Sequence, residues 1–277
     1  MKISDITIGQ YFPGVSPVHR LDPRMKLVIT FVYIAMLFVA RSTLALAVGV
    51  LFVFITYPLA GISLRLIVKS TKPVLPIIIF TALINMFFVG GEVLVALGPL
   101  SITDQGVRIA IHMCLRILCL IAGSALLTYT TSPIALTDGI ELLFSPLKRL
   151  GAPVHEIAMM MTITLRFIPT LIEETEKIMA AQKARGADLE SGNIFQRVRA
   201  MLPILIPLFV SAFRRADDLA LAMESRCYHG GEGRTRMRVL KMSGVDVGGA
   251  VFMAACFAAV IALNIIQPAI IGGGAIL

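Results

Sequence analysis

Long runs of apolar residues occupy the first half of the chain and its C-terminal end. A helix crosses the hydrocarbon core of a bilayer with about 20 residues, and about 17 are tolerated. The runs therefore predict five transmembrane helices, of which the first three need flanking residues or a locally thinner bilayer. They lie at about residues 25–41, 43–60, 73–90, 108–130 and 247–271.

A different pattern fills the segment between the fourth and fifth runs. Its apolar residues recur at spacings of three and four, the period of an amphipathic helix. SPIALTDGIELLFSPLKRLGAP predicts a short helix that stops near Pro146 and Gly151. PVHEIAMMMTITLRFIPTLIEETEKIMAAQKARG predicts a long helix, bent at Pro169 and ended by Gly186.

A third helix is predicted from IFQRVRAMLPILIPLFVSAFRRADDLALAMESRCYHGG, closed by Gly230 and Gly231. Its apolar part, from Met201 to Phe213, contains Pro203 and Pro207. This part is too short to cross a bilayer, so it indicates a re-entrant or interfacial segment.

The positions of lysine and arginine predict the topology. Basic residues are frequent near the N-terminus and between residues 131 and 243, and none follows Lys241. Basic loops face the cytoplasm, which places the N-terminus and the long segment inside and the C-terminus outside. We therefore expect a membrane domain at 1–132, a cytoplasmic coupling domain at 133–243 and a final transmembrane helix at 244–277.

Composition agrees with an all-α integral membrane protein. The chain is 57% hydrophobic and 15% charged, whereas soluble domains average about 25% charged residues. The net charge of +8 follows the loops, so it indicates topology rather than nucleic-acid binding. The basic loop GGEGRTRMRVLK favours contact with anionic lipid headgroups.

Two small-arginine-small triplets stand out as candidate chemistry. Ala184-Arg185-Gly186 ends the long helix, and Ser225-Arg226-Cys227 lies near the end of the third helix. A single arginine there would complement the helix macrodipole. The duplication gives equal weight to a second interpretation, in which each guanidinium docks on a partner's carboxylates.

Other polar and sulfur-containing positions leave alternatives open. Arg116, four residues after His112, lies within the fourth predicted span, where an ionisable side chain is either functional or satisfied by internal hydrogen bonds. Met159, Met160 and Met161 fit a helix core or an adaptable partner surface. No catalytic triad, metal-ligand spacing or cofactor motif is present in the sequence.

Four blocks of the sequence together resemble the transmembrane T component of energy-coupling factor (ECF) transporters, shared-module type. The resemblance covers almost the whole chain. The blocks are YFPGVSPVHRLDPRMKL, TTSPIALTDGIELLFSPLKRLGAP, LRFIPTLIEETEKIMAAQKARGADLESGN and LPILIPLFVSAFRRADDLALAMESRCYHGGEGRTR.

The resemblance implies a non-catalytic scaffold in a prokaryotic cell membrane. Its partners would be two cytoplasmic ABC-type ATPases and one vitamin- or metal-binding membrane subunit, the S subunit. Carried over, Arg185 and Arg226 would each enter a groove on one ATPase. Ser225 and Cys227 depart from the family's Ala-Arg-Gly pattern, although both are small. The methionines would contact the S subunit, and Pro169, Pro203 and Pro207 would act as hinges.

Two other classes of protein compete with this interpretation. A conventional ABC importer permease would carry one docking loop, and AAQKARGADLESGNIFQRVRAMLPILIP comes close to such a loop. The second triplet argues against it. An enzyme acting on lipid headgroups would need carboxylates or histidines in catalytic spacing, and the sequence offers none.

Overall fold

The computed structural model describes residues 11–97, 100–187, 193–230 and 240–270. Ten α-helices form most of this part of the chain. In order, they are α1 (Pro17–Arg20), α2 (Pro23–Val39), α3 (Thr43–Leu59), α4 (Arg65–Thr71), α5 (Leu75–Phe88), α6 (Asp104–Thr130), α7 (Pro133–Phe144), α8 (Val154–Ala184), α9 (Ile194–Glu224) and α10 (Gly244–Ile270). Short 3₁₀ turns, Lys72–Val74 and Ser145–Leu150, follow α4 and α7.

Each predicted span coincides with a helix. Within the described residues, three helical stretches are long and apolar enough to cross a membrane by length and composition, namely Arg65–Phe88, Asp104–Thr130 and Gly244–Ile266. The first begins well before the predicted residue 73, because the 3₁₀ turn at Lys72–Val74 joins α4 to α5. Helices α2 and α3 have 17 residues each. The all-α class is confirmed, and five crossings stay a prediction.

A β-hairpin separates α5 from α6, in a region for which the sequence pattern predicted no strands. Strands β1 (Val93–Leu97) and β2 (Leu100–Thr103) pair antiparallel. The hydroxyl of Thr103 accepts a hydrogen bond from the Gly106 backbone N–H (3.0 Å) and donates one to the Val89 carbonyl (2.7 Å). This residue therefore caps α6 and ties it to the end of α5.

The buried core of the membrane helices lies between α2, α3, α6 and α10. Tyr33 stacks on Phe52 and donates hydrogen bonds to the carbonyls of Gly49 and Cys119. A Cβ added to Gly123 would lie 2.3 Å from Tyr33 Cε1, so only glycine fits there. Small residues of this kind let membrane helices approach closely.

The chain divides into two compact units. One contains residues 9–139 and 240–277, and the other residues 1–8 and 140–239. Residues 140–239, which we call the inserted unit, are thus inserted into the first unit, which we call the membrane unit, with one connection after Gly139 and one before Leu240. These connections lie a few residues inside the predicted boundaries at 133 and 243.

Helix boundaries in the inserted unit confirm two predictions and correct a third. Gly151 follows the 3₁₀ turn with a φ of 81°, and Gly186 follows α8 with a φ of 82°, both as expected for helix-ending glycines. Helix α9 ends at Glu224, so the end predicted at Gly230 and Gly231 is wrong. The reason is a backbone reversal at Cys227. The turn ADLESGN and the basic loop fall largely outside the described residues.

Candidate functional site

The two arginine triplets adopt the same backbone structure. At the end of α8, the N–H groups of Gly186 and Ala187 donate to the carbonyls of Lys183 (3.0 Å) and Gln182 (3.0 Å). At the end of α9, the N–H groups of Cys227 and Tyr228 donate to the carbonyls of Glu224 (2.8 Å) and Met223 (3.1 Å). Both ends are Schellman caps, in which the residue after the arginine takes the left-handed conformation.

Cys227 carries out in the second cap what Gly186 does in the first. Its φ is 56°, and it is the one residue other than glycine with positive φ in the described part of the chain. A left-handed conformation brings Cβ close to the following carbonyl oxygen and costs an L-residue about 1–2 kcal/mol. The departure of Cys227 from the glycine of the first triplet therefore strains the second cap.

The caps leave both guanidinium groups free to meet a partner. All six triplet residues are exposed. Within the described ranges, neither Arg185 nor Arg226 forms a hydrogen bond or ion pair through its side chain. Each arginine thus lies at a helix end whose backbone is fixed by the cap, and its guanidinium group is exposed.

Helices α8 and α9 pack against each other in antiparallel fashion. Glu174 of α8 lies beside Ser211 and Arg215 of α9, and Gln182 lies beside Pro203. From Glu174 to Gln182, towards the C-terminus of α8, the contacted residues of α9 lie progressively nearer its N-terminus. The two arginine tips consequently lie at opposite ends of the pair, rather than side by side as paired knobs.

An ion pair marks the middle of this helix pair. The Glu174 carboxylate accepts from Ser211 Oγ and from Arg215 Nη2, both at 2.5 Å. Arg185 follows Glu174 by eleven residues, and Arg226 follows Arg215 by eleven residues. At 1.5 Å per residue, each arginine lies about 16 Å along its helix from the ion pair. The two tips are therefore on the order of 30 Å apart. The ion pair is therefore equidistant from both arginines.

The ionisation of Glu174 reflects these contacts. The hydrogen bond from Ser211 is the largest cause of a lowered pKa, partial burial opposes it, and the charge of Arg215 lowers the pKa further. The carboxylate is therefore charged at neutral pH, as an ion pair with Arg215 requires.

Gln182 links the proline segment of α9 to the end of α8. Pro207 has no N–H, so the carbonyl of Pro203, four residues earlier, lacks its usual helical donor. The Gln182 side-chain amide approaches that carbonyl at 3.5 Å. The backbone carbonyl of Gln182 also accepts the N–H groups of Arg185 and Ala187. One residue thus contacts both the first cap and the proline segment.

The predicted hinge and partner-contact residues lie partly on the surface. Met160, Met161, Pro169, Pro203 and Pro207 are exposed, and Met159 is half-buried. The methionines occupy the first half of α8 and the arginine tip its far end. Met160 and Met161 are thus not part of a buried helix core, and their contact with a partner stays a prediction.

Arg116 satisfies the structural alternative that the sequence left open. Its Nη2 donates to the carbonyl of Ala40 at 2.6 Å. Ala40 is the C-cap of α2, where a cation complements the helix dipole. Arg116 Nε and His112 Nε2 are buried without a hydrogen-bond partner among the described residues. Both residues lie in the membrane unit and take no part in the paired arginine tips.

Sequence reasoning missed the residues at the helix crossing. Neither Glu174 nor Arg215 belongs to the two arginine triplets, so the search for candidate motifs did not single them out. The signal that could have found them is the offset of 41 residues between the two triplets, since the same offset separates Glu174 from Arg215.

Comparison with known proteins supplies the remaining finding. Residues 14–237 match the cobalt transport protein family, CbiQ. The chain is 55% identical over 243 residues to the energy-coupling factor transporter transmembrane protein EcfT of Thermosediminibacter oceani, covering 88% of this chain and 92% of that one. The proteins of the same name from Ruminiclostridium cellulolyticum and Heliobacterium modesticaldum are 53% and 51% identical, over 88% and 92% of this chain and 92% and 96% of theirs.

The family match covers most of the chain, and the relatives match over nearly their full lengths. The helical structure, with its three apolar stretches of membrane-spanning length, agrees with a transmembrane protein. This chain therefore belongs to the CbiQ family, as one of its energy-coupling factor transporter transmembrane proteins.

Proposed function

We propose that this chain, as the energy-coupling transmembrane subunit of an ECF transporter, docks two cytoplasmic ABC-type ATPases through Arg185 and Arg226. The observation that carries the proposal is the pair of matching Schellman caps, each eleven residues beyond one partner of the ion pair between Glu174 and Arg215. A single capped arginine has an ordinary explanation in the helix dipole. Two exposed arginines with the same cap, equidistant from one ion pair, fit two similar grooves on two similar partners.

The separation of the tips supports one ATPase for each arginine. The tips are on the order of 30 Å apart, a distance comparable to the diameter of a small domain. One shallow groove could not hold both of them. A guanidinium suits the role because it stays charged and binds carboxylates through two parallel hydrogen bonds. We expect each ATPase groove to be acidic.

Motion of the ATPases would reach the membrane through α8 and α9. When the ATPase pair closes on ATP, it moves the two tips, and the helices turn about the contact between Glu174 and Arg215. Pro169, Pro203 and Pro207 interrupt the helical hydrogen bonds, so bending concentrates there. The surface around Met159, Met160 and Met161 then shifts against an S subunit, which releases its vitamin or metal ion inside the cell.

The proposal includes a location and a division of labour. The basic loops support a cytoplasmic position for the N-terminus and the coupling domain at a prokaryotic cell membrane, on the side where ATP is available. ATP hydrolysis belongs to the two ATPases, and this subunit supplies the scaffold and the linkage. A conventional permease is not favoured, since the relatives are ECF components.

Charge reversal tests the docking. The double variant Arg185→Glu/Arg226→Glu should lose co-purification with both ATPases from detergent-solubilised membranes. Breaking one buried charged contact commonly costs about 2–5 kcal/mol, and reversal adds repulsion. A matched control is Arg166→Glu/Arg214→Glu, which reverses two exposed arginines on the same helices away from the tips. That variant should keep both ATPases.

Single reversals separate the two candidate functions. In a coupling subunit with two docking sites, Arg185→Glu and Arg226→Glu should each weaken ATPase binding. In a permease with one docking loop, Arg226→Glu should leave binding at the wild-type level. Full retention of both ATPases by the double variant would refute the docking proposal.

A further inference from the structure

A buried group of charged side chains at the start of α2 is not used by the docking proposal. We name the segment Asp22–Lys26 the N-terminal anchor. Asp22 and Lys26 are 5% and 6% exposed, and Asp246, which contacts the segment from the start of α10, is 2% exposed. Buried charges are rare unless they are paired or hydrogen-bonded. The partners of these groups therefore show which parts of the chain the segment holds together.

The anchor contacts the chain just before it enters the inserted unit. Lys26 Nζ donates to the carbonyl of Thr130 at 2.8 Å, at the end of α6. Gly139 of α7 lies against the anchor backbone, because a Cβ added there would come within 3.0 Å of Pro23 Cβ and 3.1 Å of its carbonyl carbon. The first connection between the units therefore starts from a fixed point.

The same anchor contacts the chain where it returns. Arg24 Nη2 donates to the carbonyl of Leu240 at 3.3 Å. Asp246 Oδ1 accepts the backbone N–H of Asp22 at 2.6 Å, and its Oδ2 accepts the backbone N–H of Ser243 at 2.6 Å. Asp246 thus holds the residues that precede α10 against the residues that precede α2.

Asp22 and Arg24 form an ion pair within the anchor. Arg24 binds the Asp22 carboxylate through Nε at 3.2 Å and Nη2 at 2.9 Å, a two-point contact. Burial raises the pKa of Asp22, and the hydrogen bonds and charge of Arg24 outweigh that effect, so the net shift is downward. The ionised carboxylate is the acceptor that these contacts need.

We infer that the N-terminal anchor is the point at which movement of the coupling helices passes into the membrane helices, with Asp246 and Gly139 as its positioning residues. The inference rests on the proposed function, because it requires that the inserted unit moves. Gly139 and Leu240, where residues 140–239 join the membrane unit, both contact the same short segment at the start of α2. A displacement of either connection therefore acts on α2, α6 and α10 together.

Hydrogen–deuterium exchange of the complex with both ATPases, with and without ATP and orthovanadate, tests the inference without knowledge of the transported molecule. In the wild type, the nucleotide should change exchange in α8 and α9 and also at residues 123–132 and 244–254. Asp246→Asn places an amide N–H₂ against a backbone N–H, so it disrupts one of the two contacts of Asp246. We expect the change in α8 and α9 to persist and the change in the membrane peptides to be lost.

A control and a milder variant keep the test decisive. Asp104→Asn makes the same substitution in an exposed ion pair with Arg108 and should respond like the wild type. Gly139→Ala favours the helix, because alanine is the better helix former, yet it separates α7 from Pro23. It should therefore fold and still lose the change in the membrane peptides.

The outcomes distinguish the two proposals. If Asp246→Asn and Gly139→Ala transmit the change as the wild type does, the anchor inference is wrong and the docking proposal stands. If α8 and α9 of the wild type do not respond to nucleotide, the docking proposal fails, and the anchor inference fails with it. A purely structural role would lower the amount of complex without separating the two sets of peptides.

Discussion

Because the second cap is strained, we expect substitutions at the equivalent residues Cys227 and Gly186 to change the stability of their caps in opposite directions. Cys227 and Gly186 share the left-handed conformation, and the Cys227 side chain is exposed, so its removal loses little packing. Relief of the left-handed strain should stabilise the α9 cap by about 1 kcal/mol in Cys227→Gly. Gly186→Ala introduces the same strain at the α8 cap and should destabilise it by about 1 kcal/mol.

Amide hydrogen exchange measures these local stabilities. A change of 1 kcal/mol corresponds to a factor of roughly five in an opening equilibrium, and helix ends exchange through local opening. The Tyr228 amide should therefore exchange roughly fivefold more slowly in Cys227→Gly, and the Ala187 amide roughly fivefold faster in Gly186→Ala. Both amides donate across the cap, to Met223 and Gln182.

A control within the same turn separates strain from a general effect of glycine. Ser225 does not have positive φ, so Ser225→Gly should loosen the α9 cap, because glycine there adds only flexibility. A Tyr228 amide that exchanged as fast in Cys227→Gly as in the wild type, or faster, would show that the left-handed conformation of Cys227 does not weaken the cap. A slower exchange of the Ala187 amide in Gly186→Ala would also contradict the prediction.

Two further substitutions test contacts within each unit. Glu174→Gln should lower the stability of the chain by about 1 kcal/mol, after allowance for the partial exposure of Arg215. Because the folded-state pKa of Glu174 lies below its ordinary value of 4.5, the contribution is present at neutral pH and is lost as the pH falls below about 4.5. Arg116→Leu removes the hydrogen bond to Ala40 and should lower the thermal stability by about 1 kcal/mol while ATPase binding and uptake per complex are unchanged.

Matched variants make these two outcomes specific. Glu173→Gln changes an exposed neighbour of Glu174 and should leave stability and its pH dependence as in the wild type. Arg108→Leu, on the same helix as Arg116, breaks an exposed pair with Asp104 and should cost less than about 1 kcal/mol. An Arg116→Leu protein that assembles at full yield but does not transport would show that Arg116 has a direct role.

The sequence predicted the helices well because a membrane helix is recognisable from the length of its apolar run. A run of about 20 apolar residues has few alternatives in a bilayer, where every backbone group must be paired within the helix. The hairpin at Val93–Leu97 and Leu100–Thr103 was not predicted, for a different reason. Its short apolar stretch carries no period long enough to separate a strand from a loop.

The candidate site was predictable in its residues and not in its arrangement. Two triplets at a fixed offset identified Arg185 and Arg226, and glycine chemistry predicted the end of α8. The antiparallel packing depends on tertiary contacts of Glu174 and Gln182, which no local pattern specifies. The end of α9 was misplaced because a cysteine in the left-handed conformation gives no signal of the kind that glycine gives.

The antiparallel pair has a consequence for symmetry. Two antiparallel helices are exchanged by a two-fold rotation, and the offset of 41 residues carries Glu174 onto Arg215 and Arg185 onto Arg226. A single chain thus presents a pseudo-dimeric face, which suits the two-fold contacts that protein dimers most often use. Glycine in one cap and cysteine in the other break that equivalence, so two non-identical ATPases would bind this face preferentially in one of their two possible orientations.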